Sequence, residues 1–128
     1  MRIVLSMFVL FLLASCSKEV KKADIAKVSG DYHWYYSHDN LFESVYSSSV
    51  PDRQGIRIKS RTRVNFYTNG EKVKSLKINR VYETQEGEMA IVMQWDDHVE
   101  RAIIIENNTL TFFDWPYTGF YNIFQKTE

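Results

Sequence analysis

The sequence is poor in the residues that build redox, phosphate-binding and disulfide-stabilised sites. It holds one cysteine, two prolines and five glycines among 128 residues. One thiol alone excludes a disulfide or a redox pair within the chain, and so few glycines leave little scope for a loop that cradles phosphate groups. The formal net charge is zero, with 16 basic and 16 acidic side chains. No global field therefore attracts nucleic acid, and we expect no nucleic-acid partner.

Residue patterns for catalysis and metal binding are missing as well. The chain has no Gly-x-Ser-x-Gly elbow and no His-Glu-x-x-His motif. Its histidines are His33, His38 and His98, and the first two lack the i, i+2 spacing that would place them on one strand face. An acid pair brought together across strands, such as Glu100 with Asp114, stays open. We expect a protein that is not an enzyme and that holds no metal or other cofactor.

The N-terminus carries the most specific pattern that is present. Arg2 supplies a positive charge, residues 3–13 form an apolar run interrupted only by Ser6, and small residues follow at positions 14 and 15. A positive n-region, an apolar stretch of roughly 7–15 residues and a small-residue cleavage site define a secretory signal peptide. The run is shorter than the about 20 residues that span a bilayer. The pattern therefore predicts export and not a transmembrane anchor.

The motif at the end of this segment, Leu13-Ala14-Ser15-Cys16, resembles the lipobox of bacterial lipoproteins. The resemblance implies removal of residues 1–15 and attachment of fatty acyl chains at Cys16. Two or more chains hold a protein stably, at about 0.8 kcal/mol per buried methylene. Ser17, where an aspartate would favour inner-membrane retention, implies the outer membrane, on its periplasmic face or at the cell surface. An ordinary cleaved signal with an incidental cysteine, or a buried N-terminal helix, is the alternative.

Residues 16–28 then form the lipidated cysteine and a polar, lysine-rich tether, and residues 29–128 form one domain. From Gly30 onward the apolar positions alternate with a period of two, which predicts strands. The clearest alternation predicts one half-buried strand over residues 56–68. One of its faces takes Ile56, Ile58, Ser60, Thr62, Val64, Phe66 and Thr68, and the other takes Arg57, Lys59, Arg61, Arg63, Asn65 and Tyr67.

Turn signals divide the rest of the domain. Asn69-Gly70 tolerates the positive φ values of a type I′ turn and predicts a hairpin, and a phase change between Val73 and Leu76 predicts a bulge. Further turns are predicted at 86–87, 96–97 and 107–108. The run 99–105 is apolar on both faces, which predicts a central strand. About eight strands with short connections predict an all-β, antiparallel up-and-down barrel, which leaves no exposed edge.

Short motifs at both ends of the domain resemble lipocalin-like barrels. Gly30-Asp31-Tyr32 with Trp34 is similar to the Gly-x-Trp opening, with tyrosine in place of the expected tryptophan, and residues 108–112 and 122–126 are similar to the closing hairpin of small lipocalin-like lipoproteins. The resemblance covers residues 28–126. It implies an eight-stranded calycin-type barrel that holds one small ligand or is filled by side chains, with Tyr32, Trp34 and Tyr36 pointing inward.

Two binding hypotheses follow. In the first, a small apolar or amphipathic ligand occupies the barrel mouth, lined by Tyr32, Trp34, Tyr36, Phe66, Met93 and Trp95. In the second, the barrel is filled and docks an envelope protein or polymer through Arg57, Lys59, Arg61, Arg63, Trp115 and Tyr117. The plainer interpretation is that the aromatics form the core and that the basic row is a solvated face. Interior volume discriminates the two hypotheses, because large residues in every inward layer leave no room for a ligand.

Overall fold

The period-two pattern from Gly30 onward forms nine strands in the computed structural model, which describes residues 25–41, 43–59 and 63–127. These strands are β1 (Gly30–His38), β2 (Ser44–Tyr46), β3 (Gln54–Ile58), β4 (Arg63–Thr68), β5 (Glu71–Glu83), β6 (Met89–Asp96), β7 (Val99–Glu106), β8 (Thr109–Phe112) and β9 (Tyr121–Lys126). A 3₁₀ turn, Ser47–Ser49, follows β2. The lipobox with Cys16 and the basic residue Arg61 lie outside the described residues. The described part of the chain contains no helix long and apolar enough to cross a membrane.

Eight of the strands close a barrel. From β3 to β9, each strand pairs antiparallel with the next strand along the chain, and β1 pairs with β3 on one edge and with β9 on the other. The short β2 is an additional strand, which pairs with residues 36–38 of β1 beyond the point where β3 ends. The prediction of an all-β, antiparallel, up-and-down barrel is therefore confirmed.

The hairpins follow from the turn residues. Asn69 and Gly70 have φ values of 54° and 83°, as in a type I′ turn, and both residue types adopt positive φ readily. Asn107, with φ of 56°, makes the turn between β7 and β8. Opposite Phe66 and Tyr67, the register of β5 jumps from Lys74 to Lys72, so Val73 is the extra residue of a bulge. The predicted turns at 69–70, 86–87 and 107–108 and the predicted bulge in β5 are confirmed, whereas the turn predicted at 96–97 lies at 97–98, because Asp96 still pairs with Val99.

The single strand predicted over residues 56–68 is wrong. The chain reverses between Ile58 and Arg63, and β3 and β4 pair as a hairpin in which Ile58 lies opposite Val64. The amide of Lys59 donates a hydrogen bond to the carbonyl of Arg63 at 3.2 Å. Ile58 and Val64 are six positions apart, so the alternation continues through the reversal with unchanged phase. Periodicity therefore places Ile56, Ile58, Val64 and Phe66 correctly in the core, but it does not reveal the reversal between them.

Inward side chains of all eight barrel strands form one core. The largest fully buried side chains are Tyr32, Ile56, Ile58, Val64, Phe66, Ile91, Met93, Ile103, Leu110, Phe112, Asn122 and Phe124. Strand β7 was expected to be apolar on both faces, but its first half carries the exposed Glu100 and Arg101. Only Ile103 and Ile105 are buried inside the barrel, because a strand in a closed barrel has one face towards solvent.

Candidate functional site

The candidate ligand-lining residues sit in a filled interior. Phe66 is fully buried, and its ring centroid lies 5.7 Å from that of Phe112 and 6.1 Å from that of Trp95. Tyr32, Trp34 and Met93 are buried, and Trp95 is partly buried against the same core. The structure thus brings five of the six predicted lining residues to the inside of the barrel. There they contact one another and their neighbours as core side chains.

One end of the barrel is closed by the loop between β8 and β9. The ring of Trp115 stacks on Phe124 at 6.0 Å with 9° between the planes, and it meets Phe66 edge-on at 5.1 Å. The ring of Tyr117 contacts Trp34 at 5.6 Å. Trp115 and Tyr117, which the second hypothesis names as docking residues, are partly buried and pack with these partners against the core. We call this the aromatic end.

A buried asparagine holds that loop in place. The amide nitrogen of Asn122 donates to the carbonyls of Phe112, Tyr117 and Phe120 at 2.9–3.1 Å. Its Oδ1 accepts from the Ser37 hydroxyl at 2.5 Å and from the Tyr117 amide at 3.3 Å. The Ser37 hydroxyl in turn accepts the indole N–H of Trp34 at 2.8 Å. Asn122 therefore ties the loop to β1 and leaves no buried polar atom of its own unpaired.

The opposite end is closed by aliphatic side chains. Ile25 and Val28 precede β1 and are 5 % and 7 % exposed. The hydroxyl of Tyr32 donates to the carbonyl of Val28 at 2.7 Å, which fixes this segment against the first strand. Burial raises the pKa of Tyr32 to about 12. The barrel is thus filled along its length, with aromatic rings at one end and aliphatic side chains at the other.

The described cations of the basic row do not lie on one strand. Arg57 lies on β3, where its guanidinium is paired with Asp31 at 2.5 Å. Lys59 directly follows β3, and Arg63 is the first residue of β4, with its guanidinium near Ser75. The reversal after Ile58 therefore places Arg57 and Arg63 on two neighbouring strands instead of one.

Tyr36, the sixth predicted lining residue, points outward. The register between β1 and β9 shifts from Trp34 opposite Phe124 to Tyr36 opposite Ile123, which makes Tyr35 the extra residue of a bulge. The phase of β1 changes at this bulge. Ser37 therefore takes the inward position and is fully buried, while Tyr36 joins the outer wall.

A continuous row of rings runs across that outer wall. Tyr36 stacks on Tyr46 of β2 at 5.6 Å and on His38 at 5.7 Å, each with 23° between the planes. His38 stacks on Tyr121 of β9 at 5.3 Å, and Tyr121 contacts Phe113 at 5.2 Å. Tyr35 meets Tyr36 edge-on at 5.4 Å. We call these six residues the aromatic face.

The aromatic face is exposed and contains no aspartate, glutamate, lysine or arginine. Four of its rings are 37–49 % exposed, namely Tyr35, Tyr46, Phe113 and Tyr121. The other outward positions on β1 from His33, on β8 and on β9 up to Gln125 hold no such residue either: they are His33, Thr109, Thr111, Ile123 and Gln125. The nearest carboxylate on the loop after β1, Asp39, accepts the amides of Leu41 and Glu43 at 2.9 Å.

The sequence hypotheses missed this face. Its cross-strand contacts join residues far apart in the chain, such as His38 with Tyr121. One signal was available, because Tyr35 and Tyr36 follow Trp34 directly and three consecutive aromatics cannot all face inward.

The outer wall on the other side of the barrel is charged. We use the name charged face for the outward side of β5, β6 and β7, which carries Lys77, Asn79, Arg80, Gln94 and Glu100. Glu100 accepts hydrogen bonds from Asn79 at 2.8 Å and pairs with Arg80 at 3.0 Å. The bond from Asn79, with the Arg80 guanidinium, lowers the pKa of Glu100 below its ordinary value.

The acid pair left open by the sequence is not formed. Glu100 is engaged by Arg80 and Asn79, whereas Asp114 pairs with Arg101 at 3.1 Å. Each carboxylate therefore forms an ion pair with a different arginine. Within residues 25–41, 43–59 and 63–127, no cluster of three or more histidine, cysteine, aspartate or glutamate side chains is placed to hold a metal ion.

Comparison with known proteins finds no relative: no family model matches the chain, and neither a curated protein nor a solved structure matches it. The closed eight-stranded barrel is consistent with a lipocalin-like fold.

Proposed function

We propose that this protein is a lipid-anchored interaction module of the bacterial cell envelope, without catalytic activity, whose filled barrel presents the aromatic face to another envelope molecule. The observation that carries the proposal is the contrast between a filled interior and an uncovered row of rings. Large side chains occupy the inward layers, from Ile25 at one end to Trp115 at the other. The rings available to a partner are on the outer wall.

Physical chemistry favours a binding role for such a wall. Contiguous exposed apolar surface mostly marks an interaction site in a soluble domain. The centres of interfaces are depleted in charged residues and enriched in tyrosine and phenylalanine. Tyrosine suits the task because a rigid ring offers contact area while its hydroxyl forms hydrogen bonds. Tyr46 and Tyr121, at 49 % and 37 % exposure, combine both properties on adjacent parts of the wall.

The proposed anchor at Cys16 would set the orientation of the barrel. Ile25, which lies at the aliphatic end, is nine positions after Cys16 in the chain. An extended chain of that length spans at most about 30 Å. The aliphatic end would therefore lie close to the membrane surface. The aromatic end would then point away from the membrane, towards the rest of the envelope, together with the part of the aromatic face that lies nearest to it.

The first hypothesis, a small apolar or amphipathic ligand inside the barrel, ranks second. A ligand entering at the aromatic end would have to displace Trp115 and Tyr117 from Phe124 and Trp34. Each aromatic pair contributes about 0.5–1.5 kcal/mol beyond the area that it buries. Loss of these contacts would oppose entry of the ligand.

Site-specific photocrosslinking in the bacterial host tests the proposal. The photoreactive residue p-benzoylphenylalanine would replace Tyr46 or Tyr121 in the full-length lipoprotein. The matched control places it at Val73, which is 54 % exposed on the bulge of β5. We expect a discrete crosslinked product at the two tyrosine positions and none at position 73.

Equal crosslinking at all three positions, or none at any, would contradict the aromatic face as a binding surface. Native mass spectrometry of the protein extracted from membranes addresses the alternative. A tightly bound lipid or other small molecule, besides the acyl chains on Cys16, would transfer support to the interior-ligand hypothesis.

A further inference from the structure

We infer that the partner of the aromatic face is a neutral glycan chain, an inference that rests on the proposed function and narrows it to one class of ligand. The ring geometry is the first argument. In the three stacked contacts along Tyr46, Tyr36, His38 and Tyr121, the centroids are 5.3–5.7 Å apart and the planes incline by only 23–24°.

Such spacing requires offset rings. Ring faces in contact lie about 3.5–4.0 Å apart, so centroids at this distance are displaced sideways by about 4 Å, as in offset stacking. Each ring therefore covers only part of its neighbour, and the rings at the two ends of the row, Tyr46 and Tyr121, are 49 % and 37 % exposed. The row forms a staircase of offset aromatic rings that runs from β2 across β1 to β9.

A pyranose ring can pack on an exposed aromatic ring. It has a flat side of C–H groups that packs on the ring and an equatorial edge of hydroxyls that needs hydrogen-bond partners. Further along the same outer wall, β8 and β9 carry uncharged hydrogen-bonding groups, namely the hydroxyls of Thr109 and Thr111 and the amide of Gln125. A linear chain of sugars also fits a row of rings, whereas a globular protein would favour a round patch with a central anchor.

The absence of charge selects among glycans. An acidic polymer would gain affinity from cations, yet the outward positions of β2, of β1 from His33, of β8, and of β9 up to Gln125 carry no lysine or arginine. Two of the cations on other parts of the wall are already paired, Arg57 with Asp31 and Arg80 with Glu100. A neutral glycan needs no cation for binding, so it suits a part of the wall without lysine or arginine.

The mature lipoprotein, carried in nanodiscs, is titrated calorimetrically with three hexasaccharides. Chitohexaose and maltohexaose are the neutral probes, and hexagalacturonate is the acidic one. We expect at least one neutral probe to bind and the acidic probe to bind more weakly. Tyr46→Ala and Tyr121→Ala should each weaken that binding by about tenfold, which corresponds to 1.4 kcal/mol, while Val73→Ala leaves it unchanged.

Exposed rings can be removed with little risk to the fold, and circular dichroism of each variant checks this. Failure of both neutral probes to bind at about 1 mM overturns the inference, as does binding that both tyrosine variants leave intact. Self-association of the lipoprotein that Tyr121→Ala abolishes would also overturn it, because a second copy would then occupy the face. In the first two cases crosslinks at positions 46 and 121 still support the proposed function, so the two claims fail separately.

Discussion

The two sides of the barrel wall differ in how far their outward apolar side chains are exposed to solvent. On the charged face, Ala90 is fully buried, and Val92 and Tyr82 are only 5 % and 8 % exposed. On the aromatic face, Tyr46 and Tyr121 are 49 % and 37 % exposed. Both sides belong to one closed sheet and surround the same core. The fold therefore does not dictate exposed rings, and their exposure on one side is a local property of the sequence.

The comparison also separates two uses of polar groups. On the charged face, Arg80, Glu100 and Asn79 satisfy one another at the surface. On the aromatic side, the polar hub is Asn122, which is buried inside the wall and organises the loop from which Phe113 reaches Tyr121. Asn122 holds this loop in position through hydrogen bonds from an uncharged side chain. The predictions below test each half of this contrast.

The largest expected effect comes from Asn122→Ala. The substitution leaves buried partners unpaired, including the Tyr117 amide and the Phe112 carbonyl, and each such group costs about 1–3 kcal/mol. We expect a loss of about 3 kcal/mol in the free energy of unfolding, measured by urea denaturation. Amide hydrogen exchange should rise in residues 113–120 and stay slow in β6 and β7.

The matched control is Asn79→Ala on the charged face. Asn79 also donates two hydrogen bonds, to Gln94 and Glu100, but it is exposed to solvent. Water replaces those bonds, so we expect a loss of about 0.5 kcal/mol or less. Equal losses for the two asparagines would contradict the distinction between an internal hub and a surface network.

The second effect compares two tyrosines of the outer wall. Tyr82→Ala removes a side chain that is 8 % exposed and packs with Ala90 and Val92. Truncation of a buried aromatic residue costs about 3–5 kcal/mol in a full core, and we expect about 2 kcal/mol at this wall position. Tyr121→Ala removes an exposed ring and should cost under about 1 kcal/mol.

Thermal denaturation of the two variants at neutral pH measures this difference. A larger loss for Tyr121→Ala than for Tyr82→Ala would show that the aromatic face stabilises the fold. Stability alone would then account for the exposed rings, and the proposed function would lose its main argument.

Local signals predicted the parts of the fold that depend on neighbours in sequence. Asn69 and Gly70 identify their own turn, because both adopt positive φ readily. The bulge at Val73 was visible because the apolar phase changes there, from Val73 to Leu76. The reversal after Ile58 was invisible, since an even spacing of apolar residues is the same in one long strand and in a hairpin.

The candidate site could not be predicted in the same way. The bulge at Tyr35 lies within three consecutive aromatics, so the change of phase leaves no trace in hydrophobicity. The row of rings exists only because β1 pairs with β9, which places His38 beside Tyr121. The inward turn of Trp115 likewise depends on Phe124 below it, a contact that residue type alone does not specify.

The smallest expected effect concerns the ion pair of the charged face and its dependence on pH. The hydrogen bond from Asn79, with the pairing to Arg80, lowers the pKa of Glu100 in the folded protein. A carboxyl with a depressed folded pKa stabilises the protein above its unfolded pKa of about 4.3 and loses that contribution as the pH falls through the folded value. Both side chains are well exposed, at 48 % for Arg80 and 38 % for Glu100, so solvent screening keeps the contribution under about 1 kcal/mol.

Glu100→Gln tests this by urea denaturation at pH 7 and at pH 3. The variant should be slightly less stable than the parent chain at pH 7, and the difference should shrink towards pH 3, because Glu100 of the parent chain takes up a proton as the pH falls through its depressed pKa. High salt should reduce the difference at pH 7, because exposed charges are screened. Binding at the aromatic face should not change, since Glu100 and Tyr121 lie on β7 and β9, with β8 between them. A change in that binding would mean that the two sides of the wall are coupled, and the comparison would then describe one surface and not two.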